Sequence, residues 1–232
     1  MPMFRTALLL SAATLVASAD EPKTLQGVPK DWDGAVKIGP AQILDTPELT
    51  TIRISTEPAD GKTDTKTEPI EFKIEWKNEK PDLESFQRTL NTKQSMTTSG
   101  HRSGMTSITR ELVYSSEYKA LLIHLQADQP GALTFTTSFV TDGKLTAVDR
   151  LETQWQGNKT DQKARVWVIP FESEVYNKGG VQTIPGEGEA LIILNADGEN
   201  TYKTLADRFD PGHPHPNPWQ IWQEFLKARK TD

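Results

Sequence analysis

The chain has no cysteine among its 232 residues, which excludes disulfides, thiol nucleophiles and a lipid-bearing cysteine anchor. Stability therefore comes from packing alone, and a chain of this length can bury a core that needs no covalent staple. A clustered basic stretch is also missing. With 26 Lys and Arg against 32 Asp and Glu, the formal net charge is −6 and the pI is near 5.3. Nucleic-acid binding normally needs a basic surface, so that partner class is excluded, and a mildly acidic balance suits neutral ligands. No apolar run reaches the roughly 20 residues that cross a bilayer. Nor is there a Gly-x-Ser-x-Gly motif, a phosphate loop, a dinucleotide fingerprint or an internal repeat.

What the N-terminus does carry is a leader pattern. Met1 to Arg5 is a short basic start, Thr6 to Val16 an apolar run, and Ala17-Ser18-Ala19 the small-x-small signature of signal peptidase. Cleavage after Ala19 is expected, which makes the protein exported, periplasmic or extracellular. Removing 19 residues from 232 leaves 213, enough for one large all-β domain.

Residues 20–67 are polar and rich in Pro, Asp and Gly, and read as a lead-in with room for one or two short edge strands. Beyond them the pattern has period two. Ile70, Phe72, Ile74 and Trp76 alternate with Glu71, Lys73 and Glu75, placing apolar side chains on one face and charges on the other. Leu133, Phe135, Thr137 and Phe139 repeat it. Further strands are expected at 86–96, 105–114, 118–125, 144–148, 153–156, 165–171 and 190–195. Turn chemistry stands at Gln129-Pro130-Gly131, Asp142-Gly143, Gly157-Asn158, Lys178-Gly179-Gly180 and Asp197-Gly198, and a further hairpin loop at His101 to Gly104. Many short strands between such turns predict a large antiparallel β-sandwich over 68–198. Residues 199–232 read as a connector and one short C-terminal helix. There Asn217 can cap, Pro218 suits the first position, and Trp219, Trp222, Phe225 and Leu226 share a face that packs on the sandwich or on a partner.

A chain of ordered pieces carries a family resemblance: Phe86-Gln87-Arg88-Thr89-Leu90-Asn91, then Arg110-Glu111 with Tyr114 and Ser115, then Ala127-Asp128-Gln129-Pro130-Gly131 before Leu133-Thr134-Phe135. These resemble the N-terminal domain of glycoside hydrolase family 95, the α-L-fucosidases, over roughly residues 68–198. The resemblance implies a twisted supersandwich that precedes a helical catalytic toroid, and fucosylated glycan as a ligand class. This chain offers only Trp32 and Gly34 of that family's opening stretch, and it has room for one or two helices.

Arg110 and Glu111 are strand neighbours and point to opposite faces, so one buried or cross-strand ion pair and one solvated side chain are expected. His213-Pro214-His215 with Asp210 has metal-like spacing, but its prolines make it a stiff connector. No metal, cofactor or catalytic residue is assigned. Trp76 and Trp167 fall on strands and are expected in the core. Trp155, beside Gln154, Gln156 and Asn158, is the candidate carbohydrate contact, with a core position as its other reading. The expected function is an exported, non-catalytic sandwich that binds carbohydrate or a protein partner. The alternatives are glycoside hydrolysis from an unrecognised site and a structural envelope protein.

Overall fold

The computed structural model describes residues 22–55, 68–77, 80–158, 160–171, 174–209 and 217–229. The leader and the His213-Pro214-His215 motif lie outside the described residues. The strands in chain order are β1 (Lys23–Leu25), β2 (Val36–Ile38), β3 (Ala41–Asp45), β4 (Leu49–Ile54), β5 (Ile70–Trp76), β6 (Pro81–Asn91), β7 (Met96–Ser103), β8 (Thr106–Ser115), β9 (Ala120–Ala127), β10 (Leu133–Phe139), β11 (Gly143–Ala147), β12 (Glu152–Gly157), β13 (Lys163–Pro170), β14 (Tyr176–Lys178), β15 (Val181–Glu187) and β16 (Glu189–Asn195). Two helices follow, α1 (Thr201–Phe209) and α2 (Pro218–Arg229).

All strand pairs are antiparallel. One sheet has nine strands in the order β1-β6-β7-β8-β9-β16-β13-β12-β11, and the other has seven in the order β14-β15-β10-β5-β4-β3-β2. The expected all-β sandwich with a short C-terminal helix is what the chain forms.

The period-two segments do what their pattern dictates. Ile70, Phe72 and Ile74 of β5 face Ile108, Leu112 and Ile123 of the other sheet in the main core, while Glu71 turns outward to Arg53 at 2.9 Å. The three strands β9, β16 and β13 are covered on both faces and so read as largely apolar runs, with His124 of β9 the exception among their central positions. Their inner set, including Leu121, Ile123, Ile192 and Val168, belongs to the inter-sheet core. Their outer set, including Leu122, Ile193 and Trp167, packs under α1 and α2 through Leu205, Ile221, Trp222 and Phe225. Burying a large apolar side chain contributes roughly 1.5–3 kcal/mol, so the helices are held by the sandwich itself. Asn217 caps α2 by accepting from the Trp219 N–H at 3.0 Å, as its sequence position predicts.

Three segments differ from expectation. The lead-in holds four strands, of which β3 and β4 lie inside the seven-stranded sheet. Their inward positions include Asp45 and Thr50, polar residues that blunt the alternation. His101 to Ser103 belongs to strand β7, not to a loop, and the turn begins at Gly104 with φ +62°. β7 escaped notice because its buried side chains are Thr97, Ser99, His101 and Ser103. The connector contains α1, whose Leu205 and Ala206 are buried.

On one flank the two sheets are tied together. Asn177 donates through Nδ2 to the Asp149 and Glu152 carbonyls at 2.9 and 3.2 Å, and Gln182 donates to the Leu151 carbonyl at 2.5 Å. Gly180 adopts φ +87° beside Leu145, where a Cβ would come within 2.9 Å of it.

Candidate functional site

The Trp155 ring is only 2% exposed. It stacks on Phe139 with centroids 6.3 Å apart, and its Nε1–H donates to the Thr141 carbonyl at 2.9 Å. A ring so covered, with its one polar handle already bonded, presents no face to a sugar, so the core reading of Trp155 describes its position. Its polar neighbours are another matter. Strand alternation turns Gln154 and Gln156 to the opposite face of the sheet, where they line an open cleft of about 180 Å³ with Lys144, Thr146, Lys163, Arg165 and Gly198. Asn158 is engaged elsewhere, donating to Asp142 at 2.9 Å.

Register makes this cleft. Lys144 of β11 pairs with Gln156 of β12, which pairs with Lys163 of β13. One step along, Thr146, Gln154 and Arg165 form a parallel row. Between these two rows, Leu145, Trp155 and Ala164 form a third that points the other way, into the inter-sheet core. Six hydrogen-bonding side chains thus stand as a grid on three adjacent strands. Glu152 braces one corner by accepting from Gln154 Nε2 at 2.9 Å and Arg165 Nη1 at 3.3 Å. In sequence these are three separate x-polar-x-polar stretches; only pairing brings them together.

Arg110 and Glu111 part as expected. Arg110 is fully buried between the sheets, its Nη1 2.9 Å from Asp45 Oδ1 and 2.8 Å from the Thr46 carbonyl. Burial pushes its pKa down, with Asp45 opposing. Its Nη2 donates to His101 Nδ1 at 3.1 Å, because a guanidinium can only donate. His101 is held at a pKa of about 4, first by burial and then by Arg110. Nearby Arg88 is also lowered by burial and donates to the Gly34 and Gly27 carbonyls.

Glu111, on the outer face, is not solvated alone. His124 Nδ1 lies 3.1 Å from Glu111 Oε2, and His124 Nε2 lies 2.5 Å from Glu189 Oε1. Each ring nitrogen of His124 thus meets a carboxylate oxygen, one from β8 and one from β16. Trp222 of α2 stacks on this ring at 5.0 Å, and Trp219 and Phe171 flank it at 6.1 and 6.2 Å. Sequence reading missed the His124 cluster, since its members lie on three different strands. Trp167 is buried as expected and Trp76 is half-buried against the core. Among the described residues no group of three or more His, Asp or Glu is arranged to hold a metal ion, and no helix is long and apolar enough to cross a membrane.

The sequence pattern of the glycosyl hydrolase family 65 N-terminal domain matches residues 63–210. No curated protein matches the sequence. Among solved structures the chain is similar to a "Putative kojibiose phosphorylase from human microbiome", at 9% identity and a TM-score of 0.31, covering 84% of this chain and 37% of that one. The matching pattern supports the glycosyl hydrolase N-terminal domain that the sequence suggested, but it is that of family 65 and not of family 95.

Proposed function

We propose a function on one premise: the chain belongs to the glycosyl hydrolase family 65 N-terminal domain family. It is an exported, non-catalytic β-sandwich that binds carbohydrate through the cleft on β11, β12 and β13. The observation that supports this reading is the cleft's chemistry. Amide, hydroxyl and cationic groups line it, and none of its lining residues is a carboxylate. Glycoside hydrolysis needs two carboxyl groups roughly 5 to 9.5 Å apart across the bond. The neighbouring Glu152 is buried and occupied by Gln154 and Arg165, so the cleft is equipped to hold a saccharide and not to cleave it.

The test is a glycan panel with the mature protein, including fucosylated oligosaccharides, repeated with Gln154→Ala/Gln156→Ala. Binding that the double variant loses supports the reading. Absence of binding across the panel removes the carbohydrate function, and release of sugar from an aryl glycoside by purified protein removes the non-catalytic clause.

A further inference from the structure

We propose that the cleft on β11, β12 and β13 takes an anionic saccharide, one bearing carboxylate or sulfate groups. This rests on the carbohydrate reading of the same cleft and goes further by assigning the charge of the ligand.

The net charge of −6 suggested neutral ligands, but that total hides its local distribution. Three cations, Lys144, Lys163 and Arg165, line one small cleft with no acidic lining residue. The acids around it are already engaged. Glu152 holds Arg165 at 3.3 Å, Asp197 holds Lys119 at 3.3 Å, and Asp142 accepts from Asn158. Lys144 and Lys163 make no ion pair among the described residues, although the surface elsewhere pairs Arg53 with Glu71 and Lys77 with Glu75.

The two lysines occupy one register row, separated by Gln156 alone. Two strand spacings put their backbones about 9 to 10 Å apart on the same face. No carboxylate stands between the two ammoniums in that row, and at this separation their mutual repulsion is weak and screened by salt. A chain with acidic residues in excess has placed none there. Gln156, between the lysines, offers both an amide donor and an acceptor, which suits a hydroxyl or a sulfate oxygen. Gln154 and Thr146 extend the polar surface toward Arg165, whose guanidinium fork fits an oxyanion. A saccharide with one anionic group over each lysine and hydroxyls over the glutamines would satisfy the grid.

The experiment is calorimetric titration of the mature protein with oligogalacturonate, dextran sulfate and neutral dextran, each at low and at physiological salt. Lys144→Gln/Lys163→Gln is compared with the control Lys37→Gln/Lys80→Gln, whose lysines are exposed and distant in the register. The proposal expects an anionic saccharide to bind more tightly than neutral dextran. The cleft variant should lose about tenfold in affinity, the control should lose nothing, and salt should weaken binding. Whether oligogalacturonate or dextran sulfate is preferred separates carboxylate from sulfate. Equal affinity for dextran and both polyanions overturns this inference and leaves the carbohydrate reading standing, as does equal loss in the cleft and control variants. Failure of every saccharide to bind overturns both.

Discussion

Asp45 of β3 and Arg110 of β8 belong to different sheets and meet across the sandwich, Oδ1 to Nη1, at 2.9 Å. Both are buried, and Thr50 donates its hydroxyl to the same Asp45 oxygen at 2.6 Å. The pair bolts the sheets together where the inner lining turns from Ile and Leu to Thr, Ser and His.

Removing one partner is therefore worse than removing both. Asp45→Asn leaves the Arg110 charge buried without its counter-ion, and urea titration should show a loss of about 3–5 kcal/mol. The double replacement Asp45→Leu/Arg110→Met should recover much of that loss. A single variant as stable as wild type would contradict the arrangement.

His101 predicts a pH dependence with a definite sign. The unfolded ring takes its proton near pH 6.5, whereas the folded ring resists until about pH 4. Its contribution to stability is thus complete above about pH 6.5 and is lost as pH falls from 6.5 to 4, by roughly 3 kcal/mol in all. His101→Gln keeps an acceptor for Arg110 Nη2 without a titrating proton. Denaturation curves across that window should have a flatter acid limb in the variant; superimposable slopes would show that His101 does not report on folding.

Gly143 opens β11 opposite Gly157 and lies against the Trp155 indole. A Cβ there would run into the Trp155 indole and stand 2.7 Å from the Gln156 carbonyl oxygen. Gly143→Ala should destabilise the protein by about 1–3 kcal/mol and shift Gln156 enough to weaken saccharide binding. Unchanged stability and binding would mean that β11 moves aside at no cost.

Legibility in the sequence followed side-chain polarity. β5 and β10 were plain because their inward positions are apolar, and β9 and β16 because both faces are. β7 and β3 were hidden because they bring Ser99, His101 and Asp45 to the interior, a choice that only the opposite sheet explains. β15 was masked by Pro185 and Gly186, the latter at φ +142°. For the site, Gln154 and Gln156 drew attention, but through the wrong neighbour: the ring between them points inward. Lys144 and Lys163 lie 19 positions apart and become neighbours only through β12, and nothing in a linear pattern announces that.

The two tryptophans of α2 should behave differently. Trp222 is buried on His124, whereas Trp219 is 43% exposed. Trp222→Ala should cost about 3–5 kcal/mol and Trp219→Ala less than about 1 kcal/mol, with the mass in solution unchanged in both. A change of mass on altering Trp219 would instead mark that ring as a contact with another chain.

The flank closed by Asn177 and Gln182 lies beside the three strands that form the cleft. A surface anchored in this way has surrendered its conformational freedom during folding, before any guest arrives. If the cleft takes a saccharide as proposed, association draws on little further ordering of the host, the entropic penalty falls mainly on the sugar chain, and short, stiff oligosaccharides should outcompete long, supple ones.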